Sequence, residues 1–133
     1  MNAVVSEKPC VLVVDDNDML RKLIVVEMSS DGRFRVDAAA NGTDGLSKAV
    51  SSECSVIVLD MMLPDMDGLQ FIEKLKIARP KDPPAIIAIT GAPTTLIPDS
   101  MIEAPYRGLV SAVFRKPFDH AKLRETVAFC AGT

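Results

Sequence analysis

Short apolar runs alternate with amphipathic segments along the chain. Each run is bounded by polar or turn-forming residues and is apolar on both faces, which is typical of parallel β-strands covered by helices on either side. The runs predict five strands, at residues 10–14, 34–39, 55–59, 85–89 and 112–115.

The segments between the runs show helical periodicity. Apolar residues spaced three and four apart predict helices over residues 17–29, 43–50 and 69–78, and a last helix that Asp119 caps. The apolar stripe of the first helix consists of Met19, Leu20, Leu23, Ile24 and Met28. The stripe of the last helix consists of Leu123, Val127 and Cys130.

Prolines interrupt the segment between the fourth and fifth runs. Because Pro93, Pro98 and Pro105 break helical hydrogen bonding, the helix expected there is short or irregular. Strand and helix alternate five times, which predicts an α/β fold with a doubly wound, five-stranded parallel sheet. A chain of 133 residues fits one such domain, which we expect over residues 10–133 after a short flexible lead at residues 1–9.

Composition narrows the function classes. The net charge is −3 and the basic residues are scattered, so we expect no nucleic-acid binding. The longest apolar stretches are far shorter than the roughly 20 residues of a membrane span, so we expect no membrane insertion. Cys10, Cys54 and Cys130 lack the paired spacing of zinc or redox sites, which predicts reduced, buried thiols and a cytoplasmic location.

Five polar residues stand where apolar runs end: Asp15, Asp16, Asp60, Thr90 and Lys116. Because the carboxyl ends of parallel strands meet at one edge of a sheet, all five side chains are predicted to converge there. Each residue alone has an ordinary explanation as a helix cap, a turn former or a solvated surface group. A shared site explains all five at once.

The residue types at this edge indicate phosphoryl chemistry. Carboxylates about 4 Å apart repel each other by roughly 4 kcal/mol per pair at an effective dielectric near 20, so a cluster of three requires cations. An all-oxygen site suits Mg²⁺, which Asp15 and Asp16 would hold. Asp60 would be the nucleophile that forms an aspartyl phosphate. Lys116 would be the second cation, and Thr90 a hydroxyl donor to the phosphoryl group.

Four segments carry a resemblance to a known family. They are VLVVDDN at 11–17, VIVLDMMLPDMDG at 56–68, AIIAIT at 85–90 and FRKPF at 114–118. With these pieces the chain resembles the receiver domain of two-component response regulators over nearly its whole length. The resemblance implies the flavodoxin-like strand order 2-1-3-4-5. It also implies a signalling domain that catalyses its own phosphorylation, and not a turnover enzyme.

The family's phosphorylation chemistry carries over residue by residue. A phosphohistidine on a sensor histidine kinase or a histidine phosphotransfer protein would donate its phosphoryl group to Asp60 in a Mg²⁺-dependent reaction. Asp16 would contact the metal directly and Asp15 largely through water. The backbone carbonyl of Met62 would be a further ligand.

The resemblance also implies how the signal leaves the site. Lys116 would bond the phosphoryl group, and the Lys116–Pro117 peptide would be cis, a form accessible mainly before proline. Thr90 would move toward the phosphoryl group and so carry the switch. Since we find no effector or DNA-reading module after the last helix, output would pass to a downstream protein target.

One departure from the family pattern concerns the switch. Val113 stands where the family usually has an aromatic residue three positions before the lysine. Phe114 is adjacent, but strand alternation places it on the opposite face. We therefore expect the irregular segment at residues 91–108 to carry the output, in place of an aromatic rotation.

Three further positions bear on the chemistry. Met62 and Ala92 occupy family positions that tune loss of the phosphoryl group, and neither side chain can orient an attacking water, which predicts slow autodephosphorylation. His120 lies beside the cap of the last helix with no helical bundle around it. It is therefore expected to be a solvated residue of the first turn and not a relay histidine.

Two alternatives stay open at this stage. The segment Asp65-Met66-Asp67-Gly68 resembles the nucleophile motif of haloacid-dehalogenase-type phosphatases, although Pro64 precedes it and the strand ends earlier, at Asp60. The second alternative is a receiver-like interaction module that works without phosphorylation. The complete set of five polar residues argues against that module.

Overall fold

The apolar runs form one parallel sheet. In this computed structural model, which describes residues 8–30, 32–92, 100 and 108–132, the strand order is β2-β1-β3-β4-β5. All neighbouring strands pair in parallel. The doubly wound α/β fold with flavodoxin-like order is therefore confirmed. The strands are β1 (Cys10–Val14), β2 (Arg35–Ala39), β3 (Val56–Asp60), β4 (Ala85–Thr90) and β5 (Val110–Arg115).

The helices begin at polar caps. A side-chain oxygen of Asn17, Asn41, Asp67 or Asp119 accepts a hydrogen bond from a backbone N–H of the first turn that follows it. The helices of the described residues are α1 (Asp18–Ser29), α2 (Gly42–Ser51), α3 (Gly68–Ala78) and α4 (His120–Ala131). None of them combines the length and the hydropathy that a bilayer crossing requires. Most of the predicted lead at 1–9 and of the irregular helix between 91 and 108 lies outside the described residues.

The alternation of side chains along the strands divides the core into two layers. Leu12 and Ile57 face the layer that α3 and α2 cover, whereas Val11 and Val58 face the layer that α1 and α4 cover. Both layers consist mostly of buried aliphatic side chains. Among the described residues, the buried polar side chains are those of Asp15, Asp60 and Thr90, and all three lie at or directly after the carboxyl ends of strands.

The apolar stripe predicted for α1 was partly wrong. Ile24 and Met28 are fully buried, and Leu20 packs against the same layer. Met19 and Leu23 lie one position back, about 100° around the helix, and are 74% and 51% exposed. Helical spacing alone does not choose between two adjacent stripes, and contact with the sheet made the choice.

The cysteines follow the prediction only in part. Cys10 and Cys54 are free and buried, and burial raises the pKa of the Cys54 thiol to about 11. Cys130 is free but only partly buried. The fully enclosed face of α4 instead consists of Leu123, Val127 and Ala128.

Strand β5 begins two residues earlier than predicted. The pairing with β4 shifts at this point, since Ile86 lies opposite Val110 while Ile87 lies opposite Ala112. The irregularity leaves Ser111 out of the ladder, as a bulge does. After it the faces are as expected, because Val113 packs against the layer under α3 and Phe114 against the layer under α4.

One glycine of α2 is required by close packing. A Cβ atom at Gly45 would lie 2.9 Å from Val14 Cγ2 and 3.1 Å from Phe71 Cε2. The missing side chain lets α2 approach the end of β1, directly before Asp15.

Candidate functional site

The parallel register brings the polar strand ends together. Asp15 directly follows β1, Asp60 ends β3, Thr90 ends β4, and Lys116 directly follows β5. Carboxylate oxygens of Asp15, Asp16 and Asp60 lie within 4.8 Å of one another. The five predicted residues therefore share one edge of the sheet, and we call this group the acidic edge.

Lys116 supplies the positive charge of the acidic edge. Its Nζ lies 3.1 Å from Asp60 Oδ2 and 3.7 Å from Asp15 Oδ2. The peptide that follows it, Lys116–Pro117, is cis, as the resemblance implies. Asp15 and Asp60 are 1% and 4% exposed, so one partly buried ammonium faces two buried carboxylates.

The carboxylate of Asp15 is not fully compensated by hydrogen bonds or positive charge. One of its oxygens accepts the N–H of Asn17 at 2.8 Å, but Oδ2 is buried and has no hydrogen-bond partner. Burial raises the pKa of the Asp15 carboxyl to about 6, with the nearby charge of Asp60 adding to the rise. The N–H of Asn17 and the ammonium of Lys116 act in the opposite direction. A buried, unsatisfied carboxylate oxygen beside two other carboxylates is the environment that a divalent cation would satisfy.

Asp16 and the backbone of Met62 complete the oxygen groups of the acidic edge, and they differ in exposure and contacts. Asp16 is exposed at the rim, where a bound ion would keep contact with water. The backbone N–H of Met62 donates to Asp60 Oδ1 at 2.9 Å, so the main chain at position 62 adjoins the nucleophile predicted from the sequence. The structure thus has an acidic pocket, of Asp15, Asp16 and Asp60, with the donor set that Mg²⁺ prefers.

The loop between β3 and α3 is tied to the start of α2. Asp65 Oδ1 accepts the N–H of Gly42 at 2.8 Å, and Oδ2 accepts the N–H and the hydroxyl of Thr43 at 2.9 and 2.7 Å. These bonds lower the pKa of the Asp65 carboxyl to about 2. The contact spans more than 20 residues of sequence, and no local pattern signals it.

This geometry disfavours the haloacid-dehalogenase alternative. That alternative needs Asp65 as a nucleophile and Asp67 beside it. Asp65 is engaged by the first residues of α2, and Asp67 caps α3 in a reciprocal capping box with Gln70. Neither carboxylate belongs to the cluster that Asp60 forms with Asp15 and Asp16.

Two arginines that the sequence analysis did not single out support the edge. Arg21 Nη1 donates to the backbone carbonyl of Asp15 at 2.9 Å. Arg115 Nη1 donates to the backbone carbonyl of Ala92 at 2.5 Å. Arg21 lies one helical turn after the Asn17 cap, so its reach back to the loop was foreseeable, whereas the contact of Arg115 depends on strand pairing.

His120 differs from the solvated residue that was predicted. It is partly buried, and its ring stacks on Phe118 at 4.8 Å between centroids. Phe118 in turn meets Phe114 edge to face at 5.9 Å. The imidazole is thus part of an aromatic cluster at the start of α4.

Comparison with known proteins adds an independent line of support. The model of the response regulator receiver domain matches residues 11–128. A 66-residue stretch is 36% identical to the transcriptional regulatory protein SrrA of Staphylococcus aureus, which corresponds to half of this chain and 27% of that protein.

Solved structures agree on the fold. A CheY-like receiver domain from Methanospirillum hungatei is 24% identical, with a TM-score of 0.81 and 95% of each chain covered. The receiver domain of AraT from Geobacillus stearothermophilus is 26% identical, with a TM-score of 0.77 and again 95% of each chain covered.

Receiver domains are signalling domains without steady turnover, and they interact with histidine kinases and downstream effectors. The family match covers nearly the whole chain, and the fold and the acidic edge agree with it. The chain therefore belongs to the response regulator receiver domain family, with the phosphoacceptor role in two-component signalling that membership supports.

Proposed function

We propose that this chain accepts a phosphoryl group on Asp60 from a phosphohistidine of a sensor histidine kinase or a histidine phosphotransfer protein. The observation that carries the proposal is the position of Lys116 Nζ, within 4 Å of both Asp60 Oδ2 and the unsatisfied Asp15 Oδ2. One ammonium does not neutralise this pair together with Asp16. The edge is arranged for further positive charge and for an incoming phosphoryl group.

Each residue has a distinct part in the transfer. A carboxylate oxygen of Asp60 attacks the phosphorus while the bond between phosphorus and the histidine nitrogen breaks, and the nitrogen keeps that electron pair. Met62 N–H and Lys116 Nζ orient the two oxygens of Asp60. After transfer, Lys116 balances charge on the phosphoryl oxygens.

The metal site would be formed by Asp15, Asp16, Asp60 and the backbone carbonyl of Met62. When bound, Mg²⁺ supplies positive charge that screens the carboxylates and the phosphoryl oxygens from one another. Asp15 and Asp60 are buried, so this charge acts where water does not already screen the repulsion.

The signal would then pass to a downstream protein target. Thr90 is fully buried at the end of β4, the strand that pairs with β3, which ends at Asp60. Its hydroxyl would turn toward the phosphoryl group on Asp60. We place the domain in the cytoplasm, where its three free cysteines would stay reduced.

Labelling with a small phosphodonor tests the proposal. Incubation with acetyl phosphate and Mg²⁺ should add one phosphoryl group, detected by intact mass measurement. Asp60→Asn should abolish the adduct, and chelation of the metal should suppress it. Asp44→Asn, at an exposed acid in the first turn of α2, is the matched control and should label like the parent protein.

The alternative of an interaction module that works without phosphorylation makes the opposite prediction. Under it, the parent protein and Asp60→Asn would both stay unlabelled, although both fold. Steady release of phosphate from a phosphomonoester, unaffected by Asp60→Asn, would instead support a phosphatase.

A further inference from the structure

Residue 92 is held from two sides in this structure. Its N–H donates to Thr90 Oγ1 at 3.1 Å, and its carbonyl accepts Arg115 Nη1 at 2.5 Å. Thr90 and Arg115 are directly paired across β4 and β5. A chain of contacts therefore runs from the Thr90 hydroxyl through the backbone of Ala92 to a side chain on the edge strand.

Arg115 lies on the face of β5 where the family's aromatic residue would lie. Side chains alternate along a strand, so Arg115 shares the face of Val113, while Phe114 points into the opposite layer. Val113 has no ring to rotate. Arg115, which is two residues further along and partly buried, is the side chain on this face that contacts the backbone beyond Thr90.

This arrangement opposes movement of Thr90. The hydroxyl oxygen of Thr90 is engaged by the N–H of Ala92, and the carbonyl of the same residue is held by a guanidinium. Hydrogen bonds from a charged donor are about twice as strong as neutral ones. A shift of residue 92 that accompanied a turn of Thr90 toward Asp60 would have to break the bond from Arg115.

We propose that Arg115 is a positioning residue that holds residue 92 in the unphosphorylated conformation and releases it when Thr90 turns toward the phosphoryl group. We call this contact the Arg115 latch. The inference rests on the proposed function, because it assumes that Asp60 is the phosphorylated residue. It gives the chain a coupling element on β5 in place of the absent aromatic ring.

Removal of the latch should lower the free-energy cost of changing from the unphosphorylated to the phosphorylated conformation. A ligand that favours one of two conformations binds more tightly when the competing conformation is destabilised. Beryllofluoride, a mimic of the phosphoryl group, should therefore bind Arg115→Met about fivefold more tightly than the parent protein in saturating Mg²⁺. Methionine keeps the apolar stem of the arginine and removes every donor.

Two further variants separate positioning from simple support of the fold. Arg124→Met removes a guanidinium that pairs with Glu27 between α4 and α1 and takes no part in the contact with residue 92. It should lower the unfolding midpoint without changing beryllofluoride affinity. Arg115→Lys keeps the charge but has one donor nitrogen in place of the planar guanidinium, and its affinity should lie between those of the parent and Arg115→Met.

Calorimetric titration and amide NMR give the readouts. In the unliganded protein, Arg115→Met should shift the Ala92 amide resonance toward its position in the beryllofluoride complex, whereas Arg124→Met should leave it in place. Equal affinities for the parent and Arg115→Met, with an unmoved Ala92 resonance, would overturn the latch. If Arg115→Met does not fold, an unchanged affinity in Arg115→Lys would do the same.

The failure of the latch and the failure of the proposed function are distinguishable. The parent protein must first gain a phosphoryl group that Asp60→Asn does not gain. If it does and Arg115→Met binds beryllofluoride like the parent, only the latch is wrong. If the parent is never labelled and binds no beryllofluoride, both proposals fall together.

Discussion

Two segments at the acidic edge are held in very different ways. The loop between β3 and α3, residues 61–67, is tied to α2 through Asp65 and closed on itself by the N–H of Gly68, which donates to the Met61 carbonyl at 2.8 Å. Met66 fills the space beside Gly42, where a Cβ atom would lie 2.6 Å from its sulfur. We call this segment the fixed loop.

The segment that follows β4 has fewer ties among its described residues. Gly91 is loosely packed, since a Cβ atom there would make only an ordinary contact with Lys116 Cδ, at 3.7 Å. Ala92 is held by two hydrogen bonds: its N–H donates to Thr90 Oγ1, and its carbonyl accepts the Arg115 latch. We call Gly91 and Ala92 the switch segment.

The difference between the two segments matches two chemical needs. A nucleophile requires a support that does not move, and the fixed loop gives Asp60 the N–H of Met62 in a constant place. A signal requires an element with two arrangements, and a segment held by a few breakable bonds meets that need. Five predictions test this contrast, the first four in order of expected size.

The largest expected effect is the pH dependence of stability that the buried carboxyl of Asp15 causes. In metal-free protein the pKa of Asp15 is raised from 3.8 to about 6, so the folded state binds more protons than the unfolded state between these values. The free energy of unfolding should therefore fall by about 3 kcal/mol as the pH rises through this window. Denaturant unfolding measured in the presence of a chelator at several pH values would show the fall.

Asp15→Asn is the control for that effect, and it should flatten the pH dependence. Added Mg²⁺ should also reduce the fall, because the cation and the proton compete for the same carboxylate. A parent protein whose stability stays level from pH 4 to pH 7 without metal would contradict the electrostatic account.

A pair of glycine substitutions compares the two segments directly. A Cβ atom at Gly68 would lie 2.4 Å from Met61 Sδ and 2.9 Å from its backbone Cα, so Gly68→Ala should lower the free energy of unfolding by about 2 kcal/mol. Gly91→Ala meets only ordinary contacts and should change it by less than about 0.5 kcal/mol. Chemical unfolding of both variants measures this difference. An equal loss of unfolding free energy in the two variants would contradict the prediction.

Loss of the phosphoryl group tests one residue of the fixed loop. Met62 is 62% exposed and has no polar group to orient water, so the aspartyl phosphate should be long-lived. Met62→Asn should speed its loss about tenfold, the equivalent of roughly one hydrogen bond to water in the transition state. Timed mass measurement would show this, with Val50→Asn as the control at an exposed apolar residue of α2. Faster loss in the parent than in Met62→Asn would refute the prediction.

The smallest effect concerns the tie between the fixed loop and α2. Asp65→Ala removes three hydrogen bonds from the start of that helix and should lower the melting temperature by less than Gly68→Ala does. The amide resonances of Gly42 and Thr43 should move. Asp82→Ala, at an exposed acid paired with Arg79, should leave them unchanged. Unmoved resonances in Asp65→Ala would mean that the fixed loop does not depend on its tie.

The expected output segment offers a broader comparison. We expect amide exchange across residues 91–111 to change on phosphorylation, and that across 61–68 to stay constant. Most of the first range lies outside the described residues, so the exchange data would extend the contrast beyond Ala92.

Much of the architecture was predictable because it depends on local patterns. Apolar runs marked the strands to within two residues, and alternation with helices implied a parallel sheet. The positions of Asp15, Asp60 and Lys116 at strand ends then implied their meeting at one edge. The buried side of α1 was not predictable in full, because Met19 and Leu23 have the same spacing as the residues that face the sheet.

The sequence by itself determined the order of the elements and the residue types at the acidic edge, since both follow from patterns within a few neighbours. Only the tertiary structure decided which backbone groups Asp65 and Arg115 hold. These contacts join residues more than 20 positions apart, and they exist only once strand register and helix packing have fixed the distances between them. The local pattern thus set the chemistry of the edge, and long-range packing decided which of its segments is held firmly and which is held by a few breakable bonds.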